Sequence, residues 1–216
     1  MSRATRLCLI RHGETAWNAE RRIQGQLDVP LSTTGLAQAR AAARRLTGEP
    51  FAALYASDLV RALRTAQVLA EQRDAPIAPI RRETALRERH YGALQGLTYA
   101  EFEQQHPQAY ARFLAREENF ALPGGGESLR QFAERVNRRM DAIVAAHAGE
   151  PVLIVAHGGV LDILRRRACG RPLSAPRDFE IPNAGLNWLE AENGVWRLIS
   201  WAERDHLAEA RDELPG

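Results

Sequence analysis

Two short aliphatic runs in this chain each end on a histidine followed by glycine. Leu7 to Ile10 leads through Arg11 to His12-Gly13, and Val152 to Ala156 leads to His157-Gly158-Gly159. Runs so short and so uniformly apolar read as interior strands of a mostly parallel sheet, buried on both faces. Ligands of open α/β sheets gather beyond the carboxyl ends of such strands, and both histidines fall at that edge. If the two strands are neighbours, their ends are about 4.8 Å apart and the two imidazoles share one site.

The rest of the chain supports the same frame. Further strand-like runs lie at Ala52 to Ala56, Ile77 to Ile80, Leu186 to Ala191 and Val195 to Trp201. Helical periodicity fills Gly35 to Leu46, Leu59 to Glu71, Leu129 to Ala146 and Val160 to Ala168. This alternation predicts an α/β fold, a three-layer α/β/α sandwich whose mostly parallel sheet ends in an antiparallel edge turned at Asn193-Gly194. All 216 residues fit one domain, which at that size buries roughly 70% of its unfolded surface.

One stretch departs from the pattern. Residues 88–127 carry weak strand character and many aromatic and charged side chains, which predicts a helical, lid-like insertion over the sheet edge. It ends in Pro123-Gly124-Gly125-Gly126-Glu127-Ser128, where Ser128 and Gln131 make a capping box for the next helix. The glycines read either as a flexible joint or as a place where backbone moves or approaches a ligand.

Composition narrows the chemistry. The chain contains no lysine, so its 29 basic residues other than histidine are all arginine. Together with heavy alanine use, this points to genomic base composition of a bacterial kind. It also excludes a lysine phosphate loop and Schiff-base chemistry. Net charge is only +2, and the arginines alternate with glutamates along helix faces, which argues against a nucleic-acid partner. Cys8 and Cys169 stand alone, as expected in a reducing cytoplasm. No membrane span and no secretory leader is expected. Exposed aliphatic residues on the late edge strand offer a surface for a homodimer.

Phosphoryl transfer needs a nucleophile, cations around the equatorial oxygens and an acid for the departing oxygen. His12 supplies the first, because roughly three quarters of an ordinary imidazole is neutral at pH 7. Arg11 and Arg61 supply the second, since a guanidinium fork matches phosphate oxygens. Arg61 lies just past a strand end, in the first turn of a helix.

These residues resemble the histidine phosphatase superfamily, known through its phosphoglycerate mutases. Arg11-His12-Gly13-Glu14-Thr15 is similar to the family signature, Ser57-Asp58-Leu59-Val60-Arg61-Ala62 with Thr65-Ala66 to its second block, and His157-Gly158 to its third. The resemblance implies a phosphohistidine at His12, with Arg11, Arg61 and His157 holding the phosphate. It implies Glu88 as the proton donor and later the base. Asn18, Gln24, Gly25 and Gly158 fall where family members line the pocket. Arg89 and Tyr91, in Glu88-Arg89-His90-Tyr91-Gly92, match residues that touch substrate in mutases.

The branch is read from departures. Tyr99 stands where mutases carry a lysine, the paired-arginine insertion is missing, and Gly159 replaces the asparagine of mutases. A pocket lacking those cations holds a monophosphate product less well and admits water. The favoured expectation is therefore a phosphomonoester hydrolase acting on a small phosphorylated metabolite without a cofactor or metal. The alternative is a mutase primed by 2,3-bisphosphoglycerate. Two rivals are a non-catalytic phosphate-binding regulatory module and a metal hydrolase built on His12, Glu14, Asp58 and His157. Pocket shape is expected to depend on Tyr91, Phe102, Phe113 and the glycine-rich segment.

Overall fold

The computed structural model describes residues 4–72 and 79–208. Six strands form one sheet: β1 (Thr5–Arg11), β2 (Ala53–Ser57), β3 (Arg81–Glu83), β4 (Pro151–Ala156), β5 (Leu186–Glu192) and β6 (Val195–Glu203). Their order is β3-β2-β4-β1-β5-β6. The pairs β3–β2, β2–β4 and β4–β1 are parallel, while β1–β5 and β5–β6 are antiparallel.

Side chains alternate across this sheet and so build two cores. Leu7, Leu9, Val152 and Ile154 face helices α6 (Leu129–Ala146) and α7 (Gly158–Ala168), meeting Phe132, Val136, Met140 and Leu164. Cys8, Ile10, Leu153 and Val155 face the other way, towards α2 (Thr33–Arg45) and α3 (Val60–Glu71), meeting Ala42, Ala43, Ala66 and Leu69. Each fully buried aliphatic side chain contributes roughly 1.5–3 kcal/mol. This is the three-layer α/β/α sandwich with an antiparallel edge. No helix among the described residues is long and apolar enough to cross a membrane.

Helix starts follow local chemistry. Ser32 caps α2 by accepting from Gly35 N at 3.0 Å, so the helix begins before Gly35. Ser128 and Gln131 form the expected box on α6, with Ser128 N donating to Gln131 Oε1 at 2.8 Å.

The third strand is a correction. The expected run Ile77 to Ile80 lies partly outside the described residues, and Pro79 and Ile80 precede the strand rather than form it. β3 instead pairs Arg81 to Glu83 with Tyr55 to Ser57, and Arg81 and Arg82 are exposed. A sheet-edge strand is recruited by its backbone ladder, so no apolar run marks it.

Residues 88–127 carry two short helices, α4 (Tyr99–Gln105) and α5 (Pro107–Leu114), joined at His106. A short α1 (Ala16–Ala19) lies earlier in the chain. Leu94, Phe102 and Leu122 of the insertion form a small core with Ile23 from earlier in the chain. Phe102 is fully buried there, its ring centroid 5.1 Å from that of Tyr110 and 5.6 Å from that of Phe113. It therefore shapes this core and not a ligand pocket, because its apolar ring is spent on packing.

The glycine-rich segment is neither a free joint nor a ligand wall. Ala93 N donates to Pro123 O at 2.8 Å, and Glu127 N to His90 O at 2.8 Å. A Cβ on Gly92 would lie 2.0 Å from Pro123 O, and one on Gly124 2.6 Å from Ala93 N. These glycines let two backbone segments press together. Gly125, by contrast, has a positive φ of 78° but nothing within 4 Å of a Cβ. Gly125→Ala is expected to cost about 1 kcal/mol from backbone conformation alone. Gly92→Ala, at φ 60° with a carbonyl in the way, should cost about 2–4 kcal/mol. Urea unfolding of the two variants checks the difference; equal losses would show that the seam is loose.

Candidate active site

The two histidines meet because β1 and β4 are adjacent. Arg11 pairs with Ala156, and His12 N donates to Ala156 O at 3.0 Å. The imidazole centroids of His12 and His157 lie 5.2 Å apart, edge to face.

His12 is held in one protonation pattern. Its Nδ1 lies 2.7 Å from Gly13 O, an acceptor only, so Nδ1 carries the hydrogen and Nε2 a lone pair. Arg61 Nε donates to that Nε2 at 3.2 Å. Burial holds the His12 pKa well below the ordinary imidazole value, and the charges of Arg61 and Arg11 lower it further. Its backbone is pinned by Asn183, whose Nδ2 donates to His12 O at 2.8 Å, and by Gly13 N donating to Thr65 Oγ1 at 3.1 Å. A Cβ on Gly13 would lie 2.3 Å from Gly35 O, so this turn presses directly on the start of α2.

Arg61 enters from the first turn of α3 and is almost fully buried. Its Nη1 donates to Leu27 O at 2.8 Å and its Nη2 to Gly25 O at 2.7 Å. Burial pulls its pKa down to about 10, with Glu88 and Asp28 opposing, so it stays charged at neutral pH. Arg11 Nη1 donates to Ile181 O at 2.7 Å, and its buried Nε has no protein partner. Among the described residues Gln24 Oε1 and His157 Nδ1 are likewise buried without a partner. Such atoms cost about 1–3 kcal/mol each, a penalty that a bound anion or its protons offsets.

His157 is wholly buried, and burial, then Arg61, His12 and Arg11, hold its pKa well below the ordinary value. Its Nε2 lies 2.8 Å from Ser57 Oγ, leaving Nδ1 free. It touches the His12 ring but does not wall the cavity; its neighbour Gly158 does.

Glu88 reaches the same place from the start of the insertion. Arg89 N donates to its Oε1 at 2.8 Å, and Gly159 N, at the start of α7, donates to its Oε2 at 2.9 Å. A Cβ on Gly159 would lie 2.1 Å from Oε1. The acid is therefore seated where residue 159 has no side chain.

A cavity of about 100 Å³ is walled by His12, Arg11, Arg61 and Glu88. Asn18, Arg22, Ile23, Gln24, Gly25, Tyr91, Tyr99 and Gly158 complete it. Asn18 Oδ1 is engaged by the cap of α1, accepting from Thr15 N and Oγ1 at 3.1 Å each, so only its NH2 can serve a ligand. Arg89 lies apart, on an adjoining cavity, with Nε and Nη2 donating to Glu127 O at 3.0 and 2.8 Å. Asp58 turns away to Arg87, accepting at 2.8 and 2.5 Å. Ser57, Thr65 and Asn183 support the site but were given no role from sequence. The first two lie in a recognised block, whereas a lone loop asparagine has no sequence signal.

Two buried neutral histidines make stability pH-dependent. An unfolded imidazole takes up a proton near pH 6.5 and these native ones do so only at lower pH, so the unfolded state binds more protons as pH falls. Stability is expected to fall below about pH 6.5 and to fall less steeply in the His12→Asn, His157→Asn double variant. Urea midpoints at pH 7.5 and 5.5 measure this, and identical pH slopes would contradict it.

Comparison with known proteins agrees with this geometry. The description of the histidine phosphatase superfamily (branch 1) matches residues 7–204. A metal-independent phosphoserine phosphatase of Arabidopsis thaliana is 39% identical over 208 residues, covering 96% of this chain and 85% of its own length. Phosphoglycerate mutase-like protein 4 of the same plant is 40% identical over 205 residues, covering 94% and 87%. The structure of a mycobacterial glucosyl-3-phosphoglycerate phosphatase superposes with a TM-score of 0.81 at 36% identity, covering 93% of this chain and 100% of that one. With its signature histidines, arginines and sheet order all in place, the chain belongs to the histidine phosphatase superfamily.

Proposed function

We propose that this chain hydrolyses small phosphomonoesters through a phosphohistidine on His12. The observation that carries the reading is the Nε2 lone pair of a buried, neutral His12, facing a cavity that Arg11 and Arg61 also wall. Nε2 attacks phosphorus, the P–N bond forms, and the ester P–O bond breaks. Glu88 gives its proton to the departing alcohol oxygen. Water then attacks phosphorus, Glu88 takes its proton, the P–N bond breaks, and inorganic phosphate leaves.

Arg61 and Arg11 stabilise the equatorial oxygens, with Asn18, Gln24, Gly25 and Gly158 around them and the neutral His157 supporting the His12 ring from behind the cavity wall. Backbone carbonyls hold both Arg61 Nη atoms in place, while its Nε, which donates to His12 Nε2 at 3.2 Å, turns from that lone pair to a phosphate oxygen before Nε2 attacks. Arg89 and Tyr91 contact the organic part. The cycle requires no metal or cofactor; 2,3-bisphosphoglycerate enters only as the primer of a mutase. Water is favoured over a second alcohol because Tyr99, a phenol uncharged at neutral pH, lines the cavity where the resemblance to mutases places a cation that would retain the product. The partner is a small phosphorylated metabolite, with neither nucleic acid nor membrane involved. Free Cys8 and Cys169 fit a cytoplasmic enzyme. Val195 and Ile199, exposed on the outer strand β6, are where a second copy would pair.

Incubation with a phosphomonoester should give an acid-labile phosphoenzyme, and His12→Ala should abolish both label and turnover. Retained turnover in that variant sinks the mechanism. With 3-phosphoglycerate as substrate, inorganic phosphate should exceed 2-phosphoglycerate; the reverse ratio, dependent on bisphosphoglycerate, makes the chain a mutase. Glu88→Gln should lower kcat on alkyl phosphates about 10²–10⁴-fold and on phenyl phosphates much less. Gly159→Ala should reproduce that pattern in milder form, since a methyl group there displaces the acid. Equal losses on both substrate types would move the acid elsewhere.

A further inference from the structure

A second cavity, of about 860 Å³, adjoins the phosphate-sized one and shares Arg11, Glu88, Tyr91, Tyr99 and Gly158 with it. Sites for drug-sized organic ligands span roughly 300–1,000 Å³, so a three-carbon acid leaves most of this space unused. An ester bound for attack by His12 places its alcohol here.

The charges on its walls are almost all matched. Arg112 pairs with Glu117 at 2.6 Å, Arg116 with Asp162 at 2.7 Å and Arg204 with Glu180 at 2.5 Å. Arg89 is bound to the Glu127 carbonyl. Arg177, in the loop between α7 and β5, has neither ion pair nor hydrogen bond among the described residues, although it walls the cavity. The adjacent Asp178 does not neutralise it, because Arg171 holds both carboxylate oxygens at 2.8 and 2.6 Å. The Arg177 charge is felt at Arg11, Tyr91 and Tyr99, which places it in electrostatic reach of the inner site. The same cavity has apolar and phenolic walls, among them Tyr91, Tyr99 and Phe113.

We infer that Arg177 reads an anionic group at the far end of the substrate's alcohol. The preferred substrates are then phosphomonoesters whose leaving group carries a carboxylate or a second phosphate on an extended, partly apolar frame. This deepens the hydrolase reading and rests on it. The chain lacks the cationic insertion of mutases, and Arg177 supplies a cation from the opposite side of the chain order, after α7.

The test uses three phenyl phosphates matched in leaving-group acidity, bearing a para propanoate, a para propylphosphonate or the methyl ester of the propanoate. In the wild-type protein kcat/KM should favour both anionic substrates over the ester by about tenfold, the size of one charge-assisted hydrogen bond. The preference should weaken with added salt. In Arg177→Gln the ratio should collapse towards one, and Arg177→Lys should restore part of it. An equal rate on all three in the wild type, or a ratio that survives Arg177→Gln, overturns the inference while leaving the hydrolase intact. Hydrolysis of none of them removes the hydrolase reading and this inference together. A preference for only one anion keeps Arg177 and selects the source.

Discussion

The parallel pairing of β1 with β4 is the constraint on which the site depends. It matches Arg11 with Ala156 and ties His12 N to Ala156 O, so two imidazoles far apart in sequence meet edge to face. Strand ends in a sheet are spaced by the backbone ladder and not by side-chain choice, and this fixes the distance between the rings more firmly than loops could. The two cores on either face of the sheet clamp that ladder from α2 and α3 on one side and from α6 and α7 on the other.

Around this pair the chain arranges charge with little slack. Arg61 is buried, which is costly, but three acceptors hold it: two backbone carbonyls and the His12 ring. The segment carrying Gly25 and Leu27 therefore owes its position partly to the guanidinium it encloses. The same charge and the same burial keep both histidines neutral, so nucleophile and cation are two sides of one arrangement. Glu88 completes it from the insertion, whose glycine seam holds the 90–94 and 122–127 segments together while Gln26 and Arg135 donate to the Glu88 carbonyl.

Much of this was legible in the sequence, for physical reasons. Interior strands must be aliphatic on both faces, so β1 and β4 stand out, and their carboxyl ends locate His12 and His157. The start of α6 declares itself through Ser128 and Gln131, whereas the Ser32 cap of α2 and the Thr98 cap of α4 come to light only in the structure. The edge strand β3 did not declare itself, because Arg81 and Arg82 are exposed and carry no apolar pattern; the strand is held by its backbone ladder and by Arg81 donating to Tyr55 OH at 2.7 Å. Phe102 was misplaced for a related reason: an aromatic residue beside a pocket and one beneath it look alike in sequence. The glycine seam was equally hidden, since close backbone approach leaves the same mark as mobility. Asn183, which holds the His12 carbonyl, lies in a loop with no periodicity to reveal it.

The seating of Glu88 on α7 has a consequence for how such chains diverge. The backbone N–H of residue 159 binds one carboxylate oxygen, and the absent side chain leaves room for the other. Positions 88 and 159 thus occupy one shared volume, although 71 residues separate them in sequence. A chain with a larger residue at 159 has to hold its proton donor in a different seat, so the side chain at that one position sets where the acid stands.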